Sequence, residues 1–223
     1  SVVFYTSGQA ALETSYLFGL FGRFYGHNNL PDSSNMCHET TSVGLKEAIG
    51  SSVRTCGLED FEHCNAIFYF GQNPGTNSPR FLDPLQDAVR RDCKMITFNP
   101  VREAGLVHFT DPQSPVQMLT GTSTDLSHMY LQVRPGGDIA ALMGLCKHVL
   151  AVDDARQAAG QPGVLDRGFI AQHTQGLDAF AAQARAADWA EIEAASGLAR
   201  ADLEAAADVY MPVSCEIVEV NEA

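Results

Sequence analysis

A chain of 223 residues that is 45% apolar and 18% charged has material for one sizeable core, or for one domain and part of another. Its 14 Lys and Arg stand against 27 Asp and Glu, a formal charge of −13, which argues against a phosphate backbone or an anionic membrane surface as partner. No apolar run is long enough to span a bilayer, and no C-x-x-C pair occurs among the six cysteines. This speaks against a zinc ribbon, a thioredoxin-like centre or a haem attachment.

The opening "SVVFYTSG" starts inside an apolar strand pattern without a Met or a basic leader, so a piece of a longer chain is expected. Residues 2–8 predict a strand closing in a Ser/Gly turn. Leu17, Leu20, Phe21 and Phe24 then recur at helical spacing and predict a helix that stops at Gly26. A polar loop leads to Cys37 and His38, and "ETTSVGLKEAIG" predicts a short helix closing at Gly50.

Residues 65–100 carry the clearest architecture. Residues 66–70 are a continuous apolar run, as in a strand buried on both faces, and residues 95–98 predict a second buried strand. Between them "GQNPGTNSP" predicts a turn, Ser78 an N-cap with Pro79 in the first helical position, and Leu82, Leu85 and Val89 a helix face. Pro84 is expected to kink or divide that helix. The result is a βαβ unit with parallel strands. Leu131 and Val133 end a further strand, "RPGG" turns, and Asp138 is expected to cap a helix with Leu142, Leu145, Cys146 and Val149 on its apolar side. Residues 151–165 read as a surface loop. The alanine-rich last quarter predicts three short helices punctuated by Gly176, Asp188 and Gly197, with Glu191 placed for a capping box, and "VSCEIVEV" alternates like a strand.

The fold class is therefore α/β, a mainly parallel sheet with flanking helices in a Rossmann-like arrangement. Ligands of such sheets sit at the carboxyl ends of the strands. Here those ends are residues 6–9, 70–79, 98–105 and 134–138. Their Gly residues allow close backbone approach, helix N-termini offer N–H groups to phosphate, and Arg80, Arg102 and Arg134 lie beside them. Ordinary βα turns and surface ion pairs have the same composition, and neither G-x-G-x-x-G nor a P-loop is present. Cys37 admits two readings. It is a soft thiol at a helix start, suited to reactivity or to a transition metal with His38 moving a proton, or it is a small packing residue. Cys56, Cys64, Cys93, Cys146 and Cys215 lie in apolar patterns and are expected to pack. Reduced thiols in a cytosol are expected.

Taken in order, these segments resemble the catalytic subunits of the molybdopterin oxidoreductases, in the branch of the formate dehydrogenase alpha subunits. The resemblance runs through "FYTSGQAALETSYLFGLFGRFYGHNNLPDSSNMCHETTSVGL", "LEDFEHCNAIFYFGQNPGTNSPRFLDPLQDAVRRDCKMITFNPVREAGL", "FTDPQSPVQMLTG", "QVRPGGDIAALMGLCKHVL", "FIAQHTQGLDAFAA" and "SGLARADLEAAADVY". It implies a bis-molybdopterin guanine dinucleotide cofactor with molybdenum or tungsten, Cys37 as the metal ligand and His38 as the proton-handling residue. It assigns Gln72, Asn73, Thr76 and Asn77, then Asn99 and Arg102, then Gly137 and Asp138, to one guanine dinucleotide. Glu39 and Thr40 stand where many relatives have Gly-Pro, Ser7-Gly8 lacks the arginine of a Ser-Arg-Gly turn, and Asn99 replaces an acidic residue. The resemblance further implies a small-molecule substrate such as formate, a redox partner, a cytoplasmic location and, in a missing N-terminal region, a 4Fe-4S cluster. The implied division is a strand–helix unit of a discontinuous domain (1–33), a dinucleotide-binding domain (34–212) and a terminal strand or tail (213–223). Such a fragment by itself is expected to be inactive. The alternative is a non-catalytic nucleotide- or partner-binding α/β module.

Overall fold

The computed structural model describes residues 2–7, 10–31, 35, 37–53 and 55–210. They form two compact units, divided in the chain between Gly57 and Leu58.

In the first unit, α1 (Leu12–Phe24) ends before Gly26, whose φ of +85° stops the helix as expected. Buried Phe4 packs edge-to-face on Phe18, Phe21 and Tyr25, with ring centroids 6.1, 5.7 and 5.3 Å away. The expected strand at residues 2–8 is corrected: residues 2–7 carry no regular structure, and Gly8 lies outside the described residues. The segment is tied down by the Phe4 N–H donating to the Asn29 carbonyl (2.9 Å) and the Asn29 side-chain amide donating to the Val2 carbonyl (3.2 Å). Those bonds join it to a loop, and a strand requires a ladder. The helical pattern of α1 is right, but Leu17, Phe21 and Phe24 are exposed. The second helix, α2 (Glu39–Ile49), closes at left-handed Gly50 as expected.

The second unit runs β1 (Ala66–Phe70), α3 (Pro74–Asn77), α4 (Leu82–Arg90), β2 (Lys94–Phe98), α5 (Ala104–Val107), β3 (His108–Phe109), α6 (Pro115–Thr120), β4 (Thr124–Asp125) and β5 (Met129–Leu131). The helices α7 (Asp138–Ala158), α8 (Arg167–His173), α9 (Leu177–Ala186), α10 (Trp189–Ser196) and α11 (Arg200–Tyr210) follow. A parallel sheet of order β1-β2-β5 pairs Ala66 with Lys94 and Ile96 with Met129, while β3 and β4 form a separate antiparallel pair. Alternation along the strands divides the core into layers. Ile96 and Phe98 face Leu145, Ile192 and Leu203 of α7, α10 and α11, whereas Ile67, Tyr69 and Met95 face Leu82 and Leu85 of α4. The central strand is thus sealed on both sides, with Met95, Ile96, Thr97 and Phe98 all fully buried. Each large apolar side chain so enclosed contributes about 2 kcal/mol.

Several local expectations change. The "GQNPGTNSP" turn contains α3, because the Asn73 side chain accepts the Thr76 N–H at 3.2 Å and Pro74 takes the first helical position. Ser78 makes no side-chain cap; a 3-10 turn, Pro79–Phe81, follows it and leads into α4. Pro84 therefore falls in the first turn of α4, where its missing N–H costs no helical bond, and neither a kink nor a division results. Asp138 is the first residue of α7 and Gly137 its cap. Residues 151–158 continue α7, so the expected loop begins later. Their polar side chains clothe a helix whose inner side bears Leu150 and Asp153. Among the described residues of the last quarter there are four helices, not three, with Asp188 capping α10 through the Ala190 and Glu191 amides. Of the cysteines expected to pack, Cys93 is buried, Cys64 and Cys146 are half-buried, and Cys56 is exposed. Cys215 and the alternating tail lie outside the described residues.

Candidate functional site

The carboxyl ends of β1 and β2 bring two of the expected loops together. Buried Asn99 joins them: its side-chain amide donates to the Gln72 carbonyl (3.4 Å) and its Oδ1 accepts the Val101 N–H (3.2 Å). The backbones also touch, since a Cβ on Gly105 would stand 2.9 Å from the Gly75 Cα. Only glycine permits that approach. Gln72, Thr76, Asn77 and Arg102 are exposed on this edge, and Asn73 is half-buried.

Tyr130 of β5 supports the second loop. Its hydroxyl donates to the Val101 carbonyl at 2.7 Å and accepts the Glu103 N–H at 3.0 Å. The Arg102 guanidinium sits 5.6 Å from the centroid of its ring, within cation–π range. Burial pushes the Tyr130 phenol up. Sequence reading passed over this residue. Its only signal was a polar-tipped aromatic near the carboxyl end of a strand.

The third loop is built differently. The Arg134 guanidinium donates to the Ala194 carbonyl at 2.7 Å, and the Arg134 N–H donates to the Ser196 carbonyl at 2.8 Å. Arg134 thus closes the end of α10 instead of meeting solvent anions. Gly137 is buried against the same helix end, and a Cβ there would lie 2.8 Å from the Ala195 carbonyl oxygen. This is the glycine that the resemblance assigns to the dinucleotide, and a side chain has no room there. Asp138, half-buried, stands in the first turn of the long helix α7.

Cys37 and His38 belong to the other unit. Cys37 is exposed, immediately before His38, which is the cap residue of α2. The cap is made by backbone alone: the Ser42 N–H donates to the His38 carbonyl at 3.0 Å, and neither imidazole nitrogen bonds the helix end. Beside them Asn35, Glu39, Thr40 and Val43 line a shallow depression. Cys37 is not a core residue of this chain. A soft, accessible thiol fits a metal that needs one protein donor. Among the described residues no group of three or more His, Cys, Asp or Glu side chains could hold a metal alone. At the strand ends, exposed amides and one guanidinium fit a polar, anionic ligand better than an apolar one.

No protein-family model matches the chain. It is 46% identical over 217 residues to Protein YdeP of Escherichia coli (strain K12), which covers 97% of this chain and 29% of that one. With an uncharacterized oxidoreductase of Mycobacterium bovis the identity is 37% over 210 residues, covering 94% of this chain and 26% of the relative. The F420-dependent formate dehydrogenase 1 subunit alpha of Methanococcus maripaludis is 28% identical over 178 residues, 79% of this chain and 22% of its own. The chain thus spans under a third of the length of these relatives. Among solved structures, the acetylene hydratase of Pelobacter acetylenicus superposes with a TM-score of 0.58 at 19% identity, over 84% of this chain and 22% of that one. No helix among the described residues is long and apolar enough to cross a membrane. The chain is related in sequence to proteins named oxidoreductase and formate dehydrogenase, and it shares its fold with an acetylene hydratase.

Proposed function

We propose that this chain is part of a molybdopterin-dependent oxidoreductase of the formate dehydrogenase kind, and that its Rossmann-like second unit holds one guanine dinucleotide. The observation that carries the reading is the joined pair of strand ends, where Asn99 ties the Gln72 backbone to the Val101 loop and Tyr130 carries Arg102. Its relationship to a formate dehydrogenase alpha subunit supplies the chemical class. When bound, such a cofactor supplies a two-electron redox centre at molybdenum or tungsten. Arg102 meets diphosphate charge, and Gln72, Asn73, Thr76 and Asn77 offer amide and hydroxyl groups to the nucleoside. Asp138 accepts from the N–H groups of guanine, and Gly137 beside it completes the third loop of the dinucleotide site. In the first unit, the Cys37 thiolate gives the metal one soft donor, and His38 takes up and releases the substrate proton. A small substrate such as formate, a redox partner, a cytoplasmic location and an iron–sulfur cluster elsewhere in the parent belong to the same reading. So does the division of the parent's domains at residues 33 and 212.

Metal analysis and turnover of the full-length protein test it. Stoichiometric Mo or W is expected, with activity lost in Cys37→Ala and retained in Cys93→Ala. Fully matured protein without either metal would sink the proposal. If that metal-free protein still titrates with a guanine nucleotide, the chain is the core of a binding module instead.

A further inference from the structure

At the amino-terminal edge of the sheet, opposite the strand-end loops, lie two cysteines that the proposed function leaves unused. Cys64 precedes β1 and Cys93 precedes β2; the register of Ala66 with Lys94 sets Asn65 opposite Cys93, with Cys64 one residue before it. Their Sγ atoms are 3.8 Å apart. Cys93 is buried and Cys64 half-buried, so a small reagent has access to one member of the pair. The surrounding backbone is fixed. The Lys94 N–H donates to the Asn65 carbonyl at 2.9 Å and the Cys93 N–H to the Ala88 carbonyl at 3.1 Å. The Cys64 thiol donates to the Phe61 carbonyl at 3.3 Å, and the Arg91 guanidinium holds that same carbonyl at 2.7 Å. A disulfide needs sulfurs about 2.05 Å apart. Closing the remaining gap falls to rotation of the two side chains.

We infer that Cys64 and Cys93 form a redox modification site, a dithiol that a small disulfide converts reversibly into an intramolecular Cys64–Cys93 bond. The Cys64 thiolate attacks one sulfur of the reagent, RSSR, displaces RS⁻ and leaves the mixed disulfide Cys64–S–S–R. Cys93 gives its proton to solvent and attacks the Cys64 sulfur. The bond to the remaining RS group breaks and a second RS⁻ leaves. The protein thiols lose two electrons, RSSR gains them, and two RSH carry away the protons. Burial, then the neighbouring Cys64, pushes the Cys93 thiol up to about 12.

The test treats the reduced, folded chain with oxidised glutathione, alkylates the remaining thiols and maps the peptides by mass spectrometry. The expected product is a linked peptide pair containing Cys64 and Cys93 that dithiothreitol abolishes. Cys93→Ser should instead retain glutathione on Cys64. The oxidised chain should melt several degrees higher, on the order of what a cross-link of this span supplies. The wild-type map decides the matter even if a serine variant folds poorly. The inference is overturned if wild-type Cys64 keeps its glutathione as fully as the variant does. It is equally overturned if exposed Cys37 and Cys56 are modified while no Cys64–Cys93 peptide forms, or if that peptide forms as readily in urea.

Discussion

The two units differ in how much of their apolar material they enclose. In the second, Leu85, Met95, Phe98 and Leu203 are fully enclosed between a sheet and helices on both of its faces. In the first, Leu12 is 81% and Phe24 89% exposed on a well-formed helix. Both segments show helical or strand periodicity in sequence. The difference teaches that periodicity identifies which side of an element is apolar and is silent about what covers that side.

Three substitutions break or sharpen this contrast. Leu203→Ala should cost about 3 kcal/mol, because Leu203 fills the space over Gly144 between α7 and α11. The single tryptophan, Trp189, packs against the same core, and its fluorescence in a urea titration reads the loss. Asp153→Asn should cost about 2–3 kcal/mol by the same measurement. Fully buried Asp153 accepts the Val164 and Leu165 amides at 2.7 and 3.1 Å and pairs with Arg167 and Gln157, so a side-chain NH2 would confront donors. Burial alone would raise its carboxyl, but the Leu165 amide, Arg167 and the Val164 amide outweigh that and hold it below the usual value. A carboxyl lowered on folding stabilises most above its unfolded value of about 3.9. That stabilisation fades as pH falls through the folded value, so the wild-type acid limb below about pH 4 should flatten in the variant. Smallest of all, Phe24→Ser should shift far-UV melting by under about 0.5 kcal/mol. A larger loss would mean that Phe24 is covered after all.

The parallel sheet was legible because the apolar run 66–70 and the mostly apolar 95–98 are short and bounded by Gly, Asn and Pro, a pattern few other structures satisfy. The pair β3–β4 was not, since strands of two residues leave no periodicity to read. Neither was α3, where Gly, Pro and Asn announce a turn and only the Asn73 cap makes it helical. At the candidate site, the loops after β1 and β2 were found from their position at strand ends. The role of Arg134 was missed because the carbonyls it closes come from α10, some sixty residues further along the chain. Cys37 stood out as a Cys-His dipeptide at a helix start and through the family resemblance; its exposure is a tertiary fact.

The approach of Gly75 to Gly105 has an evolutionary consequence. Two loops in backbone contact cannot drift separately: a side chain at either position demands room at the other. Within this lineage the two sites should change together or not at all. A descendant that lengthens one loop would have to rebuild the other in the same step.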